Sequence, residues 1–195
     1  MRSLAILVLA LTTAGVAFAA GPLDSPGAVK ALTCTACHGR GGQSPSATMP
    51  ILAGVLPGYF KKAIDDYATG RRPSPEMEPY AKMVKELGVD DVASYFAAQP
   101  RQATRVAVDP AAAARGRAAA AQCALCHGAD GRGDAAKLIP DLRGQPPGYL
   151  MSQMLLFKQD RRSPDDDQLK ALKALLKTIP DETLADLAAY FASQR

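Results

Sequence analysis

The 195-residue sequence predicts an all-α protein made of two homologous halves. Three observations carry that reading. The frame CTACHG, Cys34 to Gly39, recurs as CALCHG, Cys123 to Gly128, and the two frames hold all four cysteines and both histidines of the chain. Further positions repeat in the same order: Pro50, Gly54 and the run Pro57-Gly58-Tyr59 return as Pro140, Gly144 and Pro147-Gly148-Tyr149. Arg71-Arg72 returns as Arg161-Arg162, and ASYFAAQ (Ala93 to Gln99) as AAYFASQ (Ala188 to Gln194). A repeat of this kind decides the architecture before any single element does. Apolar residues in the closing segments DDVASYFAAQ and DETLADLAAYFASQ fall at helical spacing, and no stretch alternates convincingly as a strand. One single-residue insertion and one of five residues account for the unequal spacing of the matches.

Taken in order, the chain opens on MRSLAILVLALTTAGVAFAAGP, with one early charge, an apolar run and the small-residue pattern Ala17-Phe18-Ala19. The run is short for a membrane span and reads as a signal peptide over residues 1–19, which places the mature protein in the periplasm. A first domain is expected over 20–100, a linker RQATRVAVDP over 101–110, and a second domain over 111–195. Ser25-Pro26 and Asp109-Pro110 each set a capping side chain before a proline suited to a first helical turn. A helix then leads into each cysteine frame, another follows each Pro-Gly-Tyr, and a last one closes each half. Gly27 and Gly116 each lie seven residues before the first cysteine of a frame. Glycine inside a helix costs about 1 kcal/mol against alanine, so a second helix is expected to cross closely there.

Tryptophan is absent, aromatics make up 6% of the chain, and there are 16 glycines and 15 prolines. Halves of that composition bury little apolar surface and need a staple. The formal net charge of +4 is too weak to suggest nucleic acid. The surplus lies in the second half, where fourteen basic residues from Arg101 onward face eleven acidic ones.

Three chemistries use paired cysteines at this spacing. A zinc cage would gather Cys34, Cys37, Cys123 and Cys126, but it leaves both histidines unexplained and joins halves that look self-contained. A thiol redox centre normally opens a helix after a strand, and a plain disulfide again ignores the histidines. Covalent haem uses every residue of the frame. Two thiols on one helical turn add to the vinyl groups of a porphyrin, and the next residue presents imidazole to the iron. The frames therefore assign Cys34, Cys37 and His38 to one c-type haem, and Cys123, Cys126 and His127 to another. Attachment of such haem follows export, in agreement with the signal peptide, and the haem supplies the missing staple.

With these residues in place the sequence resembles the class I cytochromes c, and specifically the diheme cytochromes of the c-four type. The resemblance covers nearly all of the mature chain. It rests on the glycine ahead of each frame, the CHG ending, Pro-x-Leu-x-Gly before Pro-Gly-Tyr, and the terminal Tyr-Phe helix. A related protein is the diheme subunit of flavocytochrome c sulfide dehydrogenase, whose second half is somewhat like Phe157 to Lys177. The resemblance implies two tandem class I cytochrome c domains passing single electrons. It also implies a methionine as sixth iron ligand. In the first half Met77, in the proline-flanked PSPEMEP, stands at the family position; Met49 and Met83 are the other methionines there, and Met83 fits a helix face as core. The second half departs from the pattern. The equivalent window, Asp167 to Leu172, contains no methionine, and none follows Met154. The second iron is then five-coordinate or takes Lys170, Lys173, Met151 or Met154. Met151 and Met154 read by default as core.

The arginine pairs read as a solvated loop, with haem propionates or partner carboxylates as the alternative. Tyr59 and Tyr149 are expected near the haem edge or the interface between halves, and Asp165 to Asp167 in solvent. The leading functional reading is an electron carrier docking on an oxidase or dehydrogenase. The alternatives are a permanent subunit of a larger oxidoreductase, such as a flavoprotein complex, and a haem enzyme using an open second iron.

Overall fold

A computed structural model describes residues 24–195, so the expected signal peptide lies outside the described residues. The first half comprises α1 (Pro26–Ala31), α2 (Thr35–His38), α3 (Pro57–Ala68), α4 (Met77–Leu87) and α5 (Val89–Ala97). The second comprises α6 (Pro110–Ala119), α7 (Ala124–His127), α8 (Pro147–Lys158), α9 (Lys170–Thr178) and α10 (Asp181–Ser193). The only β pairing among the described residues is an isolated bridge between Asp134 and Ile139. Prolines open α1, α3, α6 and α8, where a missing N–H costs nothing. Asp109 caps α6 by accepting from the Ala111 N–H, whereas the Ser25 side chain makes no such bond at α1.

Each half packs its first helix across its last. An added Cβ on Gly27 would stand 2.0 Å from the carbonyl oxygen of Asp91 on α5, and one on Gly116 would stand 2.0 Å from that of Asp186 on α10. The close crossing expected from the two glycines is therefore present in both halves. Two apolar cores result. One centres on Phe60, Ile64, Val84, Val92 and Phe96, the other on Leu150, Leu176, Leu184, Leu187 and Phe191.

The halves are fastened to each other at several points. The Gln145 amide donates to Ile51 O at 2.8 Å and accepts from Ile51 N–H at 2.9 Å, all of it buried. Gln43 and Gln102 exchange two bonds of the same kind near the surface. Segment 101–110 joins this contact, with Thr104 N–H donating to Gly144 O at 2.7 Å. The Pro-Gly-Tyr repeats also belong here. A Cβ on Gly58 would meet Leu138 of the other half at 2.8 Å, and one on Gly148 would meet Ala47 O at 2.8 Å. Each helix start thus receives a loop of the opposite half on its glycine.

Candidate haem sites and the interface between them

The short helices α2 and α7 end on the histidines and stop at the following glycines, Gly39 and Gly128. His38 Nδ1 lies 2.9 Å from Pro50 O, and His127 Nδ1 lies 2.9 Å from Pro140 O. A carbonyl only accepts, so each Nδ1 carries the proton and each Nε2 keeps a free lone pair. Burial pushes both imidazoles below their ordinary pKa against the raising effect of these carbonyls, which keeps them neutral. His38 Nε2 is buried with no hydrogen-bond partner. A buried, oriented, neutral ring nitrogen without a partner is what an iron ligand supported by a carbonyl requires.

His38 opens on a cavity of ≈ 400 Å³ that Cys34, Cys37 and Met77 also line. Met77 is half-buried against the first core, at the start of α4, where its N–H donates to Ser74 Oγ. Met49 lines the same cavity. Met83 is half-buried and lies outside the first core, where Val84 fills the inward position instead, so the sequence reading of Met83 as core is corrected. The four cysteines are unbridged, and no group of three or more His, Cys, Asp or Glu able to hold a metal ion is gathered among the described residues. The zinc cage is not assembled.

The cavity wall is completed by the second half, through Gln145, Tyr149, Gln153 and Leu156. Here the arginine pairs separate into two kinds. Arg71 and Arg161 are exposed, and Arg71 pairs with Asp65 and Asp66. Arg72 and Arg162 are buried between the halves, which corrects the reading of both pairs as solvated loop. Arg72 stacks 4.5 Å from the Tyr67 ring centroid and donates to Tyr149 Oη at 2.8 Å and Gln153 Oε1 at 3.0 Å. Arg162 stacks 4.3 Å from the Phe157 centroid and donates to Gln153 Oε1 at 2.7 Å and Tyr59 Oη at 3.2 Å. The arrangement is a pseudo-twofold: each half's arginine reaches the other half's tyrosine, and Gln153 joins them. Tyr59 and Tyr149 stand at the interface, as the sequence suggested. No carboxylate is among these partners, and Arg162 Nε is buried without one of any kind. Burial alone would raise the Tyr59 hydroxyl, but Arg162 and Arg72 outweigh it and hold it at about 7. Two buried arginines meeting no carboxylate, with Arg162 Nε unpartnered, leave a donor for an anion such as the carboxylates a porphyrin carries.

In the second half Cys123 and His127 are half-buried and Cys126 is exposed. Of the candidate sixth ligands, Met151 and Met154 pack against the second core. The Lys170 side chain is 77% exposed and pairs with Asp167. Lys173 is buried, and its amine donates to Ser163 O at 2.6 Å and Pro164 O at 3.2 Å.

The comparisons with known proteins agree with this geometry. A cytochrome c family profile matches residues 113–195. Over 198 residues the chain is 32% identical to cytochrome c4 of Pseudomonas aeruginosa, covering 97% of this chain and 96% of that one. The chain belongs to the cytochrome c4 family. Cytochrome c4 of Pseudomonas stutzeri has a solved structure that superposes with a TM-score of 0.78 at 26% identity, covering 91% of this chain and all of that one. A thiosulfate dehydrogenase electron acceptor of Stutzerimonas stutzeri is 31% identical over 84% of this chain and 79% of its own length. The thiosulfate dehydrogenase TsdBA of Marichromatium purpuratum superposes with a TM-score of 0.75 at 27% identity; this chain spans 39% of its length. As a cytochrome c4 the protein is a diheme electron-transfer cytochrome, and its two Cys-x-x-Cys frames fit two covalent c-type haems.

Proposed function

We propose that the protein carries single electrons in the periplasm between a dehydrogenase and a downstream acceptor. Cys34, Cys37, His38 and Met77 would hold the first haem, and Cys123, Cys126 and His127 the second. The observation that carries this reading is His38 Nε2, buried, unpartnered and facing a cavity that Met77 also lines. When bound, haem iron supplies a reversible one-electron ferric–ferrous couple. The residues do the rest. The Pro50 and Pro140 carbonyls fix the imidazole tautomers, and a thioether at Met77 favours the reduced state and raises the potential. Arg72 and Arg162 place positive charge between the two halves, Arg72 on the wall of the first cavity, where it would stabilise an added electron. The interface bonds hold the halves in one arrangement, so an electron entering one half has a fixed route to the other. No helix among the described residues is long and apolar enough to cross a membrane.

A second reading has its own support in the similarity to thiosulfate dehydrogenase electron acceptors. In it the chain is the electron-accepting partner of a sulfur-compound dehydrogenase and stays bound to it. Affinity capture of the tagged haem-loaded protein from periplasmic extract separates the two. A carrier elutes alone yet is reduced by a dehydrogenase fraction added back. A subunit brings a stoichiometric dehydrogenase with it. A protein reduced by no such fraction in either form would overturn both readings.

A further inference from the structure

The two halves can be put in register at the distal ligand by the buried faces of their helices rather than by their letters. In the first half Ser74 starts the ligand turn: its Oγ accepts from Met77 N–H at 3.2 Å, and its carbonyl from Glu78 N–H at 3.0 Å. In the second half Asp166 starts a tighter turn, its carboxylate accepting from Gln168 N–H at 3.0 Å and its carbonyl from Leu169 N–H at 3.1 Å, each one residue nearer than at Ser74. The inward faces of the following helices set the register. Ala81 and Val84 are buried on α4, and Lys173 and Leu176 on α9, at the same distances from Ser74 and Asp166 respectively. With Ser74 set on Asp166, Met77 falls on Leu169. The five-residue insertion therefore divides, with two residues falling between Arg162 and Asp166 and three near the start of α10.

Leucine has no donor atom. Of the two lysines that follow, Lys170 stands exposed and paired with Asp167, and the Lys173 amine is held by the Ser163 and Pro164 carbonyls, which belong to the inserted loop. Ser163 is itself fixed. It is buried, has φ of 49°, and its N–H donates to Arg71 O across the interface. Bringing the amine to an iron would cost both carbonyl bonds and leave the acceptor of the buried Ser163 without its partner. Met154, counted from the shared Pro-Gly-Tyr, occupies the seat of Ile64, which is a packing residue of the first core and a wall of the first cavity. Met154 packs against the second core in the same way.

We infer that the second haem, whose presence rests on the reading above, has an axial position that the protein leaves to an exogenous ligand. The ligand class is a small molecule with a single donor atom, such as carbon monoxide, nitric oxide or cyanide, able to bind where the chain offers only the apolar Leu169. The first haem, closed by Met77, excludes the same molecules. The two halves then differ in chemistry as well as in potential: one is a pure electron site and the other a site where a ligand can report on, or block, electron flow.

The test is a carbon monoxide titration of the reduced, haem-loaded protein, after denatured mass has shown both haems present. One haem only would remove the underlying reading rather than this inference. With two haems, the inference expects rapid uptake of one equivalent and a sulfur-to-iron absorption band from one haem in the oxidised protein. Leu169→Met should add a second such band and weaken carbon monoxide binding about tenfold or more, because the competent open state is then a minor population. Met154→Leu and Lys173→Ala should leave the uptake unchanged. Wild-type protein that takes up no carbon monoxide overturns the inference. Appearance of uptake only in Met154→Leu or in Lys173→Ala overturns it too, and names the ligand.

Discussion

Gly116→Ala tests the packing that positions the second frame. In the structure an added Cβ would lie 2.0 Å from Asp186 O, 2.5 Å from its carbonyl carbon and 2.8 Å from Tyr190 Cβ. A carbon and a carbonyl oxygen tolerate about 3.3 Å, so α6 must retreat from α10 by roughly 1 Å. No rotamer change relieves a clash with backbone, and α10 carries the buried Leu184, Leu187, Ala188 and Phe191, so the displacement passes into the core. Overpacking of this kind costs up to about 3 kcal/mol. Replacing a helical glycine by alanine returns about 1 kcal/mol of backbone propensity. The net loss of about 2 kcal/mol should lower the melting temperature of a domain this size by about 10 °C. The assay is a thermal melt of the oxidised protein followed by circular dichroism, with Gly27→Ala as the matching change in the first half. If Gly116→Ala melts at the same temperature or higher, propensity has won and the close crossing does not constrain the helices.

Met77→Ala should abolish the sulfur-to-iron band of the first haem and lower its midpoint potential, whereas Met83→Ala should leave the spectrum intact; spectroelectrochemistry distinguishes them. Gln145→Ala strands the buried Ile51 N–H and C=O, at about 1–3 kcal/mol for each unsatisfied group, and should lower the urea midpoint. Arg72→Gln removes a buried cation beside the first cavity and should lower the potential of the first haem more than that of the second, as a redox titration resolves.

What was legible in the sequence followed from chemistry local to the chain. Two thiols and an imidazole within one turn admit few uses, and a glycine kept inside a helix implies a neighbour at close range. The contacts between halves were not legible in the same way. Arg71-Arg72 looks like any solvated pair, because nothing in a dipeptide says that one side chain turns outward to Asp65 and the other inward to Tyr149. Gly58 and Gly148 were visible only as repeated letters; the loops that press on them come from the opposite half. The ligand window of the second half stayed open for a related reason. Letter matching spreads an insertion over a range, and only the buried faces of α4 and α9 fix where it falls.

The central claim is that each Cys-x-x-Cys-His frame holds one haem and that each haem moves one electron. An anaerobic reductive titration of the purified protein, with electrons counted per chain and haem absorption followed throughout, addresses it most directly. Two electrons per chain are expected, taken up in one-electron steps by haem that stays with the polypeptide after acid denaturation. Uptake of a single electron, or haem that separates from the denatured chain, would contradict it.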